Sequence, residues 1–328
     1  MQNRNIDWKN IKKVYYHAGC PDGIAAAMIL ADAWQEDPTP EFYIPLSYEM
    51  DLYKNLPLEH GVIFLDICPE SAEPWIAYDP IVLDHHVSRK EVVEALPHGL
   101  YGTNDKFCGA MLVGHALYGS DFEQHWELSH LYQFARTAMV RDTWKKDHIL
   151  WQTSIEQSKG IVACGAKELI SLCFKGQFQK ALDMIRNVGR VSAAHLNHQL
   201  SIVAPKIPVV VVGSTRVAVF NSMENRDDIA EYMRTHRDMD LFVSWRIEQG
   251  SDGLIVRMSF RSKEHIDCNV MISKMKSICA DLCRLDGGGH AQAAGAILYF
   301  RDEKVVESLP FLYVQGVVQA AVSDMALP

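Results

Sequence analysis

The sequence predicts an α/β protein whose first domain is a parallel sheet with helices on both faces, followed by a smaller C-terminal α/β domain. Three apolar segments end in a histidine or an aspartate: Lys13–His17, Gly61–Asp66 and Ile81–Asp84. Such runs are typical of parallel strands covered on both faces. Helical segments such as Ile24–Ala31 alternate with the strands, which indicates βαβ units. A chain of 328 residues is long enough for two domains with separate cores.

The remaining elements of the first domain follow from apolar spacing and turn residues. Phe42–Leu46 predicts a short strand near an edge, because Pro45 cannot donate a backbone hydrogen bond. Ile81–Asp84 is expected at the centre of the sheet. Helices are expected over residues 69–75, 107–117, 128–141 and 169–202.

The boundary between the domains is placed where the helical pattern gives way to a new strand. Pro205 and Pro208 precede Val209–Val212, an apolar run typical of a buried strand. We therefore assign residues 1–190 to the first domain, 191–206 to a linker and 207–328 to the second domain.

Composition and charge restrict the classes of function. The formal net charge of −9 argues against binding of long duplex nucleic acid, because such binding uses many Lys and Arg contacts to phosphates. The eight scattered cysteines predict reduced thiols in a cytoplasmic protein. No apolar run approaches the roughly 20 residues that span a bilayer, so no membrane partner is expected.

Polar side chains are expected to gather at one edge of the sheet, because the carboxyl ends of parallel strands meet there. They are His17, Asp22, Asp66, Asp84, His85 and His86. Consecutive residues of an extended segment point to opposite sides, so His85 and His86 take different roles. One can bind a metal while the other faces a substrate. A single histidine is more often an ordinary core or surface residue, but three such strand ends together favour a metal site.

These residues resemble the DHH phosphoesterases, a family named for the triplet present here as Asp84–His86. Its first motif is similar to His17–Gly23, its second to Asp66, and its fourth to Asp142 within Val140–Trp144. The resemblance covers nearly the whole chain, and the motifs occur in the family's order. Asp142 by itself would be interpreted as an exposed charge at a helix end.

The C-terminal half resembles the DHH-associated domain of the same family. Its glycine-rich signature is similar to Gly287–His290, followed by Ala293–Gly295. The resemblance implies that this domain lies across a cleft from the metal-binding domain and binds substrate.

Cys20 is where the sequence departs from the family pattern. Many members have an aspartate two residues before the position of Asp22, and this chain has a cysteine. Aspartate suits manganese or magnesium, whereas a thiolate prefers softer metals such as zinc. Cys20 is therefore a metal ligand, which would make zinc an option, or a bystander, or the mark of a variant that holds one ion tightly and recruits the other with substrate.

The resemblance implies metal-assisted hydrolysis of a phosphate ester or anhydride, with Mn²⁺ as the cofactor and Mg²⁺ as the alternative. Asp66 corresponds to the aspartate that bridges two ions in the family. The other implied ligands are His17, Asp22 or Cys20 on one side and His85 with Asp142 on the other. Paired ions lower the pKa of a bound water and stabilise the charge that develops on the phosphorus centre.

Two residues of the triplet are assigned to catalysis rather than to direct metal binding. Asp84 is expected to support a metal ligand by fixing the tautomer of an imidazole. His86 is the candidate for polarising or protonating the substrate.

The second domain supplies the candidate substrate-binding residues. Along Leu254–Ser262, alternate residues are apolar, and Arg261 falls on the polar face, where its guanidinium can bind phosphate. Gly288, Gly289 and His290 are expected in a loop whose backbone amides approach an anion, before a helix or turn at residues 291–294. Three glycines alone could be a hinge or a sharp turn, and the resemblance favours substrate capture.

Short oligonucleotides are the leading substrate within this chemistry. Nucleoside bisphosphates, inorganic polyphosphate and cyclic dinucleotides are the alternatives, which leaves open an oligoribonuclease, a phosphatase, an exopolyphosphatase or a cyclic-dinucleotide phosphodiesterase. A non-catalytic nucleotide-binding protein with a degenerate metal site is the alternative from another class. The sequence also leaves a homodimer open.

Overall fold

The computed structural model describes residues 8–34, 42–48, 50–102, 107–143, 145, 147–221, 226–250, 253–281, 283–290, 293–300 and 310–325. The chain divides into two compact units, Met1–His195 and Leu196–Pro328. The division falls within a continuous helix that runs from Phe178 to Val203. Most of residues 191–206, which we assigned to the linker, are therefore helical.

The first unit contains five strands and the helices around them. The strands are β1 (Lys13–His17), β2 (Tyr43–Leu46), β3 (Val62–Leu65), β4 (Ile81–Asp84) and β5 (His98–Tyr101). The helices are α1 (Pro21–Ala33), α2 (Asp51–Lys54), α3 (Lys90–Ala95), α4 (Gly109–Tyr118), α5 (Asp121–Gln124), α6 (Ser129–Asp142), α7 (Trp151–Cys164), α8 (Ala166–Phe174) and α9 (Phe178–Val203).

The five strands form a parallel sheet in the order β2-β1-β3-β4-β5, which confirms the predicted fold class. The edge position expected for the strand with Pro45 is also correct. The central position expected for Ile81–Asp84 is wrong, because β3 is the middle strand and β4 lies second from the edge.

The helix expected over residues 69–75 is also wrong, since the structure has a 3₁₀ helix at Glu73–Tyr78 instead. Pro74 explains the shift. Proline has no backbone N–H and is accommodated only in the first turn of a helix. Asp79 then ends the element in a left-handed conformation, with φ 51°.

Both faces of the parallel sheet are covered, as predicted. On one face Val14, Ile63 and Leu83 join a buried cluster that includes the apolar residues of α1 and α4. On the other face Phe64 and Val82 are buried in a second cluster. Short elements cover this second face, and three of their apolar residues complete its cluster: Tyr53, Trp75 and Val93.

The second unit is built on a six-stranded mixed sheet. Its strands are β6 (Val209–Val212), β7 (Thr215–Asn221), β8 (Leu241–Gly250), β9 (Gly253–Ser262), β10 (Cys283–His290) and β11 (Ala293–Phe300), in the order β10-β11-β9-β8-β7-β6. Its helices are α10 (Arg226–Arg237), α11 (Cys268–Cys279) and α12 (Pro310–Met325). Within this second sheet, β7 and β8 are parallel, and the other described strand pairs are antiparallel. The buried strand expected at Val209–Val212 is instead an edge strand, half-buried or exposed along its length.

The glycine-rich segment is a strand rather than the expected loop. Residues 287–290 form the last half of β10 and pair in antiparallel register with residues 296–293 of β11. A Cβ on Gly287 would lie 2.5 Å from the Gly295 carbonyl oxygen, so glycine permits the close approach of these strands. Ala293 and Ala294 belong to β11 instead of a helix or turn, and residues 291 and 292 lie outside the described residues.

Among the helices that the structure describes, none has both the length and the apolar character needed to cross a membrane.

Candidate metal centre

The carboxyl ends of three adjacent strands bring the first group of predicted residues together. His17 is the last residue of β1, Asp66 follows β3, and Asp84 is the last residue of β4. Because β1, β3 and β4 are parallel neighbours, their ends lie at one edge of the sheet. The sequence interpretation that these strand ends meet therefore follows directly from the strand order.

Asp66 is at the centre of the site. Its side chain is fully buried, and its backbone has a left-handed φ of 60°, a conformation that aspartate adopts more readily than most residues. Its Oδ2 lies 3.3 Å from His17 Nδ1, and its Oδ1 lies 3.0 Å from His85 Nε2. One carboxylate thus contacts imidazoles from two different strands.

The potential ligand atoms form two groups, and within each group all of the atoms lie within 4.8 Å of one another. The first group is His17, Asp66 and His86, and the second is Asp22, His85 and Asp142. In the second group His85 Nε2 is 3.4 Å from Asp142 Oδ2 and 3.7 Å from Asp22 Oδ2. Both groups combine imidazole nitrogen with carboxylate oxygen, a donor set that fits a divalent cation.

The grouping differs from the one implied by the family resemblance. Asp22 lies with His85 and Asp142 rather than with His17, and His86 takes its place beside His17. The reason is the position of α1, which begins at Pro21 and so carries Asp22 in its first turn. The five residues with carboxylate or imidazole groups that we expected to bind metal are nevertheless all present in the two groups.

Asp22 is held in place by the N-terminus of α4, which sequence reasoning missed. Its Oδ2 accepts a hydrogen bond from Gly109 N at 2.5 Å, and its Oδ1 accepts one from Ala110 N at 3.0 Å. The first amides of a helix have no partner within the helix and favour a negative charge. A Cβ on Gly109 would lie 2.6 Å from Asp66 Cβ, so only glycine fits there. Gly109 falls inside the helix predicted over residues 107–117, and nothing in that apolar pattern indicates this role.

Asp84 positions His86 through the turn after β4. Its Oδ1 accepts hydrogen bonds from His86 Nδ1 at 2.6 Å, His85 N at 2.7 Å and His86 N at 3.2 Å. The imidazole that Asp84 contacts is therefore that of His86. With Nδ1 engaged, Nε2 is the His86 atom that can face an ion or a substrate.

The buried charges shift one another's pKa values. Burial lowers the pKa of both His85 and His86, but neighbouring carboxylates outweigh this effect. Hydrogen bonding to Asp66 raises the pKa of His85 well above its usual value. Hydrogen bonding to Asp84 raises the pKa of His86 to about 9. Burial raises the pKa of Asp66, yet hydrogen bonds from His17 and His85 bring it well below its usual range. For Asp22, burial and the charge of Asp66 raise the pKa. Asp22, His85 and His86 would therefore hold protons that a cation can replace.

Cys20 is not a member of either group. It lies directly before α1, and its side chain makes no capping hydrogen bond. Burial raises the pKa of its thiol well above the usual value, and the charges of Asp66, Asp22 and Asp142 raise it further. A protonated thiol is a poor metal ligand.

In the second unit, the structure places Arg261 on the predicted face of β9. Val256, Met258 and Phe260 are buried, while Arg261 is half-buried on the opposite face. Its Nη1 donates to Phe260 O at 2.8 Å and lies 3.3 Å from Ser259 Oγ.

The strand register brings the glycine-rich segment close to Arg261. Both Arg261 and His290 lie opposite Ala293 of β11, one on each side of that strand. Gly288 pairs with Gly295, and Gly289 pairs with Ala294. The substrate-binding residues predicted from sequence therefore lie on β9 and β10, at neighbouring register positions on either side of β11.

Comparisons with known proteins agree with this architecture. A family model of the DHHA1 domain matches residues 217–309. No curated protein matches the chain in a sequence search.

The fold is similar to those of several solved structures. The chain is similar to a DHH-domain protein described as a member of a family of ribosomal proteins, with 14% identity and a TM-score of 0.62, covering 96% of this chain and 87% of that one. The chain is also similar to the pGpG-specific phosphodiesterase PggH from Vibrio cholerae, with 13% identity and a TM-score of 0.54, covering 95% of this chain and 100% of that one. It is similar as well to the exonuclease RecJ bound to manganese, with 14% identity and a TM-score of 0.55, covering 98% of this chain and 92% of that one.

The fold and the site together define a class of protein with a carboxylate and histidine centre at the edge of a parallel sheet and a second, mixed-sheet unit. The DHHA1 model matches residues 217–309 of the second unit, and over nearly the whole chain the fold is that of solved DHH-domain structures.

Proposed function

We propose that this chain is a divalent-metal-dependent hydrolase that cleaves phosphoester bonds in short oligonucleotides. The observation that carries the proposal is the position of Asp66, whose two carboxylate oxygens face His17 at 3.3 Å and His85 at 3.0 Å. The two candidate ligand groups therefore meet at Asp66. Divalent ions held by these residues would lower the pKa of a bound water and stabilise the charge that develops on phosphorus.

The residues of the chain have separate tasks in this proposal. His17 and Asp66 would hold one ion, and Asp22, His85 and Asp142 would hold the other, with the carboxylate of Asp22 fixed by the amides of α4. Asp84 orients His86 through a 2.6 Å hydrogen bond to Nδ1. His86 is then placed to bind an ion or to donate a proton to the leaving oxygen from Nε2.

Manganese is the proposed ion, with magnesium as the alternative. The donor set mixes imidazole with carboxylate, and carboxylates suit both metals, while imidazole suits softer ions. The fold is shared with an exonuclease whose structure contains manganese. Zinc is favoured only if Cys20 enters the ligand set.

Short oligonucleotides are proposed as the substrate because the second unit offers a separate place for a phosphate. Arg261 lies on a polar face of β9, and the glycine segment of β10 lies two strands away in matching register. The fold shared with a pGpG-specific phosphodiesterase supports a substrate of about this length. The net charge of −9 disfavours long duplexes.

An activity screen in manganese tests this proposal directly. Purified protein is incubated with short oligoribonucleotides, bisphosphorylated nucleosides, inorganic polyphosphate and cyclic dinucleotides, and the products are separated by chromatography. We expect mononucleotide release from the oligonucleotides to be fastest. Fastest turnover of another class would reassign the substrate, and ligand binding without turnover of any compound would identify a non-catalytic binding protein.

The role of the second unit is tested with Arg261→Ala and His290→Ala. Both changes are expected to raise KM for a short oligonucleotide and to leave manganese content intact. The effect should be small on an activated phosphodiester that has no second nucleotide. Arg284→Ala is the matched control, because Arg284 lies on β10 opposite Tyr299, far along the sheet from the register position of Arg261. Equal losses on both substrates would show that this unit does not bind the oligonucleotide.

We also propose a reducing, cytoplasmic setting, which is supported by the scatter of the eight cysteines along the chain. A homodimer remains a prediction that the oligomeric state in solution would test.

A further inference from the structure

Tyr48 is an aromatic residue outside the motifs that contacts two histidines of the metal centre. Its ring centroid lies 5.6 Å from that of His17 and 6.1 Å from that of His86, both in edge-on orientations. The two imidazoles are themselves 5.5 Å apart. The Tyr48 ring therefore packs against both imidazoles.

Arg89 packs on the same tyrosine. Its Cζ lies 4.8 Å from the centroid of the Tyr48 ring. Its backbone is tied to the site, because Arg89 N donates a hydrogen bond to His86 O at 2.9 Å. Arg89 is half-buried, so part of the residue is accessible to solvent.

The geometry of this stack leaves the guanidinium suited to an anion. A guanidinium that lies over an aromatic face uses its π surface for the ring and keeps its N–H groups directed outward in its own plane. Those groups can form two parallel hydrogen bonds to phosphate oxygens. Among the described side chains, no carboxylate forms an ion pair with Arg89.

The neighbouring basic side chains have other contact partners. Lys90 points to the Tyr101 ring, at 5.7 Å, and lies 3.9 Å from Glu94. Arg141, beside the ligand Asp142, packs over Trp151 at 5.2 Å. Arg89 is distinguished because its aromatic partner also contacts two histidines of the centre.

A phosphate substrate needs such a cation here. Asp22, Asp66 and Asp84 are buried at this edge of the sheet, and their charges repel an anionic substrate unless positive charge offsets them. Bound ions supply part of that charge. A guanidinium beside His86 supplies more, and in a fixed direction that also orients the substrate.

We propose that Arg89, supported by the Tyr48 ring, binds the scissile phosphate group of the substrate at the metal centre. The inference rests on the proposed function and deepens it, since it names a binding residue of the same site.

The test compares Arg89→Ala, Arg89→Lys and the neighbouring control Lys90→Ala. Kinetics are measured with a short oligoribonucleotide and with an activated phosphodiester that has no second nucleotide, and manganese affinity is measured by calorimetry. Loss of a charged hydrogen-bonding group predicts a fall in kcat/KM of about 10- to 100-fold for Arg89→Ala. The fall should occur on both substrates, mainly through KM, with manganese affinity unchanged.

The variants separate binding from structure. Arg89→Lys keeps the positive charge but loses the planar N–H donors that can bind two phosphate oxygens at once. Its kcat/KM should therefore lie between those of the wild type and Arg89→Ala. Lys90→Ala should behave as the wild type. If the ring supports the guanidinium, Tyr48→Leu combined with Arg89→Ala should lose little more than Arg89→Ala alone.

Different results would overturn the inference and the proposed function. Normal KM in Arg89→Ala on both substrates, with an active wild type, would overturn the inference alone, as would a parallel loss of manganese affinity. If the wild type hydrolyses nothing, the proposed function fails, and the inference is then tested by calorimetry with inorganic phosphate in the presence of manganese. Weaker phosphate binding in Arg89→Ala than in Lys90→Ala would support it, and equal binding would overturn it.

Discussion

Gly109→Ala tests whether the close packing at the N-terminus of α4 maintains the metal centre. Gly109 does not have a left-handed backbone, so alanine can adopt the same conformation. Alanine also favours a helix over glycine by about 1 kcal/mol. Any loss caused by the substitution must therefore come from the added methyl group.

The size of the effect follows from the distances around the added carbon. The new Cβ would lie 2.6 Å from Asp66 Cβ and 3.0 Å from Asp22 Oδ2. Carbon atoms in contact prefer about 3.5–4.0 Å, so the backbone or the two carboxylates must move by about 1 Å. Extra methyl groups in packed sites cost roughly 1–3 kcal/mol, and a displacement of about 1 Å at a reacting centre can cost about 100-fold in rate.

We expect Gly109→Ala to lower manganese affinity by at least about tenfold and kcat/KM by about 100-fold. Manganese affinity is measured by calorimetry, and thermal unfolding is followed without metal. Gly316→Ala is the control, because Gly316 lies in α12 with no atom within 4 Å of its added Cβ, and it should be stabilised by roughly 0.5–1 kcal/mol. The reasoning is refuted if Gly109→Ala raises the melting temperature as the control does and keeps normal manganese affinity.

Three further predictions concern the ligands themselves. Asp66→Ala and His85→Ala should abolish turnover and reduce metal content while the protein stays folded; wild-type rates under limiting manganese would contradict the proposed centre. Cys20→Asp should raise manganese affinity if this side chain faces an ion, and an unchanged titration would make Cys20 a bystander. Because the pKa of His86 is raised from 6.5 to about 9, the native state holds its proton more tightly than the unfolded chain. The free energy of unfolding without metal should therefore fall as pH rises from 6.5 to 9, by roughly 3 kcal/mol at most, while manganese affinity rises; a flat stability profile would contradict the shift.

Much of the first unit could be predicted because its strands are recognisable from local sequence. Val62–Leu65 and Ile81–Asp84 are continuous apolar runs that end at or just before an aspartate, and both are strands of the parallel sheet. Their order in the sheet could not be predicted in the same way. The local sequence does not indicate which strand lies in the middle, so β4 was placed centrally although β3 occupies that position.

The glycine segment shows how pairing overrides local propensity. Gly287–Gly289 disfavour a strand by themselves, and a loop was the natural expectation. The small residues Ala294, Gly295 and Ala296 on the partner strand accept the close backbone, and together they extend the hairpin. The stability that this strand pairing provides depends on β11, a separate segment of the chain, and cannot be inferred from residues 287–290 alone.

The candidate metal ligands could be named from the sequence, but the residues that contact them could not. Asp22 joins His85 only because α4 supplies two amides that fix its carboxylate, and Gly109 shows no sign of that role in a pattern of apolar residues. Tyr48 likewise belongs to no motif, and only the folded chain brings its ring against His17 and His86. Side-chain contacts between distant segments are the part of a site that periodicity cannot reveal.

The electrostatics of the centre explain why the same residues that hold protons should hold a cation. Asp22 and Asp66 are both buried, and their repulsion raises the pKa of Asp22. The carboxylates in turn raise the pKa values of His85 and His86, because each imidazole is stabilised in its charged form. Positive charge is therefore required at this edge of the sheet, and protons supply it at low pH. As the protons leave at higher pH, the unbalanced carboxylates and the neutral imidazoles become the ligands that a divalent ion needs, so metal binding and proton release are one coupled equilibrium.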